Sequence, residues 1–117
     1  LPGLSSAAGA GVEEVAVGTL TADGTEQTIL EKDSIGTFEG WIDLANMASG
    51  DTVVIKVYAK AKSGGSYRQY DSASYSNAQT NPAVHVTTLS TKYGIKITLT
   101  QSAGTYRTYD YNFFKRA

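Results

Sequence analysis

The chain has 117 residues, 41% hydrophobic and 18% charged, with a net charge of −1; this is one domain's length, without an electrostatic footprint for nucleic acid or an anionic membrane. It has no Cys and one His, which excludes disulfides, thiol catalysis, thiolate metal sites and multi-His metal centres. No apolar run approaches the roughly 20 residues that span a bilayer.

Residues 1–11 read LPGLSSAAGAG. Their small uncharged side chains have little to bury and much entropy to lose, so a flexible or partner-docked N-terminal arm is expected. The segment has no initiator Met, charged n-region or apolar h-region, and a processed or trimmed chain is expected. If ordered, such an arm must lie along its own domain or on a neighbouring subunit. Residues 12–117 are expected to form a single domain.

Beyond the arm, no 3.6-residue period is sustained over a helix length. Period-two alternation recurs instead, between clusters of Gly, Asn, Asp and Ser. Val12 to Leu20 is the first expected strand, with Val15 and Val17 on one face. Glu26 to Glu31 follows the turn Ala22-Asp23-Gly24-Thr25. Thr37 to Leu44 places Phe38, Ile42 and Leu44 on one face and Trp41 and Asp43 on the other. Asp51 to Lys62 alternates most regularly, with Val53, Ile55, Val57, Ala59 and Ala61 opposed to Val54, Lys56, Tyr58, Lys60 and Lys62. That pattern predicts a long, half-buried antiparallel strand. After Ser63-Gly64-Gly65-Ser66, Tyr67 to Tyr75 has almost no aliphatic residues and is expected at an edge or on an exposed face. Asn81-Pro82 marks a turn. Ala83 to Leu89 has Val84 and Val86 on one side and His85 on the other. Tyr93 to Gln101 and the aromatic stretch Thr105 to Phe114 complete about eight strands. The expected fold is all-β, an antiparallel two-sheet sandwich of jelly-roll type, with a pairing order that the sequence leaves open.

Groups for chemistry are sparse. His85 sits in a short strand opposite Val84 and Val86, as a surface or strand-pairing imidazole would, and no G-x-S-x-G elbow accompanies it. The carboxylates Asp23, Glu39, Asp43, Asp51, Asp71 and Asp110 mostly flank turns or face outward. No catalytic residue, metal site or cofactor is expected, because Thr21–Gly24 and Asn46–Asp51 offer too few oxygens for calcium. The lysine row Lys56, Lys60 and Lys62 fits a solvated strand face. The candidate interface or binding residues are Val12, Val15, Val17, Trp41, Tyr58, Tyr67, Tyr70 and Tyr75. Trp41 and the tyrosines fit one surface that stacks on sugars or anchors a subunit contact, since tyrosine suits both.

The stretch from Gly18 to Ser63, with its D-G turn and the connector Asp43 to Asp51, is the most distinctive part. Together with the turn Gly104-Thr105-Tyr106 and the aromatic last strand, it resembles small β-sandwich proteins of phage and archaeal-virus structural gene sets. The resemblance covers most of residues 18–114 and transfers no site residue. It implies a role in a virion or a similar assembly.

The expected function is therefore a non-enzymatic structural subunit of a repeating assembly: a viral capsid or decoration protein with an N-terminal arm for contact between copies. Two alternatives stand beside it. One is an extracellular filament or pilus subunit joined by donor-strand exchange, with Val12 to Leu20 as donor. The other is a carbohydrate-binding module. Expected partners are other copies of the chain or a capsid or filament protein, in a virion or extracellular setting, without nucleic acid or membrane.

Overall fold

The alternating runs form strands, and their apolar sides meet. The structure, a computed structural model, describes residues 12–116. Its strands are β1 (Val12–Thr21), β2 (Gln27–Lys32), β3 (Thr37–Asp43), β4 (Thr52–Ala59), β5 (Arg68–Ser76), β6 (Ala83–Thr87), β7 (Ile95–Ala103) and β8 (Thr108–Arg116). They form two antiparallel four-stranded sheets, a first in the order β1-β8-β3-β6 and a second in the order β2-β7-β4-β5. The pairing is nested. β4 pairs with β5, β3 with β6, β2 with β7 and β1 with β8. A chain rolled up in this way is a jelly roll.

The core lies between the sheets. Phe38 and Ile42 of β3, Val53, Ile55 and Val57 of β4, Ile95, Ile97 and Leu99 of β7, and Tyr109 and Phe113 of β8 are all buried. Leu44 and Met47, from the β3–β4 connection, plug one end. Each fully buried aliphatic or Phe side chain contributes roughly 1.5–3 kcal/mol against the entropy of ordering the chain. β5 and β6 supply only half-buried contacts, from Tyr75, Val84 and Val86.

The nesting gathers the connections at two ends. At one end, Ala22 donates its N–H to the Arg107 carbonyl, Leu44 to Pro82 and Asn77 to Asp51. At the other, Gly36 and Thr91 exchange backbone hydrogen bonds, and Lys60 N–H donates to the Gly94 carbonyl.

Several expectations need correction. Val15 and Val17 do not share a face. The β1–β8 register slips between Glu14 and Ala16, so the bulge turns both Val15 and Ala16 toward the core, while Val17 is 63% exposed. β4 ends at Ala59 rather than Lys62, because Lys60 and the residues after it turn toward β5. The last two strands begin later than their alternation suggests, at Ile95 and Thr108. Val12 to Leu20, the donor of the filament alternative, is paired here with β8 of its own chain. The expected arm, residues 1–11, lies outside the described residues.

Candidate functional site

The outer face of the first sheet carries an exposed aromatic row. The register places Val17, Asn112, Trp41 and His85 side by side in one row across all four strands. Trp41 is 48% exposed and packs on the His85 ring, with centroids 4.6 Å apart and planes at 53°. His85 Nε2 lies 2.8 Å from Glu39 Oε2, and Glu39 Oε1 lies 3.1 Å from Arg116 Nη1. A carboxylate only accepts, so Nε2 carries a proton toward Glu39, and Nδ1 lies 3.3 Å from the Thr87 hydroxyl. Hydroxyl, imidazole and carboxylate thus stand in the order of a nucleophile relay, but on an open sheet face. Beside them, Trp41, Asp43, Asp110, Tyr111 and Asn112 line a shallow depression of about 190 Å³. Its polar groups already have neighbours: Thr19 donates to Asp110 at 2.6 Å, and the Asn112 amide donates to Glu14.

The outer face of the second sheet looks basic in sequence and is neutralised in space. Lys96 lies over the Tyr58 and Tyr67 rings, 4.6 and 5.2 Å from their centroids, and Lys60 lies 4.7 Å from that of Tyr67. Lys60 also pairs with Asp33 at 2.9 Å. The Tyr58 hydroxyl donates to Glu26 and that of Tyr67 to Asp33. The Thr98 hydroxyl and then Tyr58 hold the Glu26 carboxyl below its ordinary range; Tyr67 and then Lys60 do the same for Asp33. Burial and the Asp33 carboxylate push the Tyr67 phenol up. Lys60 is therefore tied into this network rather than standing free for an acidic partner.

A buried polar clamp at one loop end escaped the sequence reading. Asp51, 1% exposed, accepts from the N–H groups of Ala48 at 2.9 Å and Thr105 at 3.0 Å, and from Arg107 Nε at 2.8 Å. Gln101 donates to the Ala103 and Thr105 carbonyls and accepts from Arg107 N–H and the Tyr109 hydroxyl. Gly104 has φ +88°, and a Cβ there would run into Asp51. This arrangement fixes loops: both Asp51 oxygens and both ends of the Gln101 amide are engaged within it. Asp51 reaches Thr105 and Arg107 across 54 and 56 residues of sequence, so no local pattern announces that half of the clamp.

Among the described residues, no strand covers the margin between β5 and β6. β5 is exposed at all but one of its positions. A cleft of about 210 Å³ lies between it and β6, floored by Ile55 and Val57 and walled by Ala73, Tyr75, Val84 and Val86.

The candidate residues are therefore dispersed, not gathered on one surface. Val17 and Trp41 share the outer face of the first sheet, and Val12 lies in the edge strand β1. Tyr58 and Tyr67 belong to the lysine network of the second sheet. Val15 and Tyr75 pack against the core. Tyr70, on β5, accepts a hydrogen bond from Leu89 N–H at 3.1 Å. Strand order separates the aromatics, and strand order is what the sequence left open.

This architecture defines an eight-stranded jelly roll whose outer aromatic face and one sandwich margin stand open. No protein-family model matches the chain, and no curated protein matches it. Among solved structures, a chain from the structure of infectious bursal disease virus, Gx strain, matches 89% of this chain with a TM-score of 0.54 at 11% identity. A chain from the infectious bursal disease virus VP2 subviral particle matches 89% with a TM-score of 0.47, also at 11% identity. This chain spans 30% and 31% of those chains. At such identity the first likeness is one of fold: the sandwich is shared with a chain of a virus particle.

Proposed function

We propose that this chain is a non-enzymatic structural subunit of a repeating assembly, a viral capsid or decoration protein of the virion. It contacts other copies through residues 1–11 and through the outer face of the first sheet around Val17 and Trp41. The observation that carries this reading is the nested strand order, with a likeness of fold to a virus-particle chain over 89% of the residues. Exposed aromatic and apolar side chains on a flat sheet face suit a contact that buries them. The native mass of the purified chain, by light scattering across concentrations and by electron microscopy, tests the reading. A large particle of defined size is expected, and one that fails to form without residues 1–11. A strict monomer at all concentrations would overturn it. A helical filament would favour the extracellular filament subunit, because a capsid closes on a point-group lattice and a filament does not.

The carbohydrate-binding module is favoured by one observation, the depression in which the Trp41 indole adjoins Asp43, Asp110 and Asn112. An indole face with amides and carboxylates at its rim can stack on and hydrogen-bond a sugar, and jelly rolls serve lectins as well as capsids. Saturable binding on a glycan array that Trp41→Ala removes would establish that reading.

A further inference from the structure

The four sheet edges are unequally protected. β1 is bulged at Val15 and carries Glu13 and Glu14; β2 is bulged at Ile29 and ends in Glu31-Lys32. β6 is only five residues long and follows Pro82. Bulges, charges, shortness and proline are the devices that keep foreign strands away from an edge. β5 has them only at its start, where Tyr70 is bulged and Arg68 and the inward-facing Asp71 are charged; from Ser72 to Ser76 it runs against β4 without a register shift and carries no charge and no Pro. Its inner face is also uncovered. Asp71 and Ala73 are exposed although their partners, Val57 and Ile55, are buried. The cleft between β5 and β6 adjoins that face. Among the described residues this edge is unpaired, and the cleft beside it has an apolar floor, Ile55 and Val57, with Asp71, His85 and Thr87 at its rim; an added strand fills such a place with backbone hydrogen bonds along the edge and alternate side chains in the cleft.

Residues 1–11 have the chemistry of such a strand. They carry no charged side chain. In an extended chain Leu4, Ser6, Ala8 and Ala10 share one face and Gly3, Ser5, Ala7 and Gly9 the other. The first set is the more apolar and suits a cleft of this modest size. Its source is a second copy. Val12 leaves the sandwich on β1, three strands from β6 across the first sheet, a lateral distance of ~14 Å, with ~10 Å more between the sheets. With Leu4 to Ala10 paired along β5, only Gly11 would connect to Val12 of the same chain, and one residue spans ~3.5 Å.

We propose that residues 1–11 of a second copy add a fifth strand to the second sheet along β5, with Leu4, Ala8 and Ala10 in the cleft between β5 and β6. This rests on the assembly reading above and names the acceptor. It sets the start of one copy's β1 beside the β5 margin of the next, a head-to-tail contact that closes into rings or propagates.

The chain has no Cys, so engineered cysteines give an unambiguous test. Full-length Ser5→Cys and Ser74→Cys chains, tagged for different mass, are mixed during assembly under mild oxidation. A mixed-pair disulfide is expected at Ser74, because facing residues on adjacent strands fall within bridging distance. Specificity for the β5 edge is read from two controls: Ser6→Cys, on the opposite strand face, and Thr28→Cys, on the β2 edge, give several-fold less product. Ala73→Arg, which puts a charged chain into the cleft, abolishes both crosslink and assembly while the circular dichroism spectrum stays that of the folded subunit. Equal crosslinking at Thr28, or dominant Ser74–Ser74 pairing, would overturn this acceptor. So would an intramolecular disulfide in a Ser5→Cys/Ser74→Cys double variant. Assembly that needs residues 1–11 but crosslinks elsewhere would overturn the acceptor and leave the assembly reading intact. Assembly that survives deletion of residues 1–11 would overturn the added strand and leave the outer face of the first sheet to carry the contacts.

Discussion

Asp51 shows how one side chain can hold a loop end together. The Ala48 N–H, then Arg107, then the Thr105 N–H hold its carboxyl below the ordinary value of 3.8, although burial opposes them. The unfolded chain therefore takes up this proton first as the solution acidifies. The stability tied to Asp51 is complete above about pH 4 and is lost as pH falls through the depressed folded value. Asp51→Asn, which forfeits the Arg107 ion pair, is expected to lower the urea midpoint at pH 7, with the gap to the parent narrowing steadily toward pH 2. A gap that stays constant across that range would show that charge is not the cause. Tyr109 gives the complementary alkaline case. Its phenol, 1% exposed, is pushed up to about 12, first by burial and then by the nearby Asp51 carboxylate. The contribution of its protonated form is complete below pH 10 and is lost as pH rises toward 12. Tyr109→Phe should cost about 1 kcal/mol at neutral pH, because Gln101 Oε1 keeps the Arg107 N–H at 3.0 Å. It should also shrink the phenolate absorbance step that accompanies alkaline unfolding by one phenol's share, leaving the part due to Tyr67 and Tyr58.

Strand against strand, the tightest approach is at Gly40 of β3. Its position is buried, and a Cβ there would collide with the Asn112 carbonyl oxygen and lie 2.7 Å from the Phe113 Cα of β8. Backbone cannot yield as a flexible side chain does, so Gly40→Ala must push the β3–β8 pair apart. A loss of about 1–3 kcal/mol or more is expected, read as a lower urea midpoint with an unchanged slope. Gly50 needs its residue type for a different reason: φ is +89° with open space around it. Sequence made much of this scale legible. The inward sets Phe38/Ile42, Val53/Ile55/Val57 and Ile95/Ile97/Leu99 all lie in the core, because one face of each of these strands is buried and the other is not. The edge position of β5 followed from its lack of aliphatic residues. Legibility failed where the period breaks, as at the Val15 bulge, and where placement depends on which strands become neighbours. Trp41 and Tyr58 look alike along the chain, yet they stand on outer faces of opposite sheets.

For the whole molecule, the question is which surfaces can accept a neighbour without weakening the subunit. Phe38 and Trp41 sit three residues apart on the same strand and answer it in opposite ways. Phe38 is fully buried between the sheets, and removing its ring should cost about 3–5 kcal/mol of folding stability. Trp41 points outward, 48% exposed, in the row with Val17 and His85, and its own fold gains little from it. Trp41→Ser should therefore cost the subunit only about 1 kcal/mol, the worth of its cross-strand contact with His85. If the outer face is a contact between copies, the same change removes a large aromatic anchor, which at interface centres is worth about 2 kcal/mol or more. That corresponds to a roughly thirtyfold rise in the subunit concentration needed for assembly. Light scattering over a dilution series, beside urea melts of the same samples, separates the two quantities. A lower melt with an unchanged assembly threshold would make Trp41 an ordinary sheet residue and leave the β5 margin to carry the contacts.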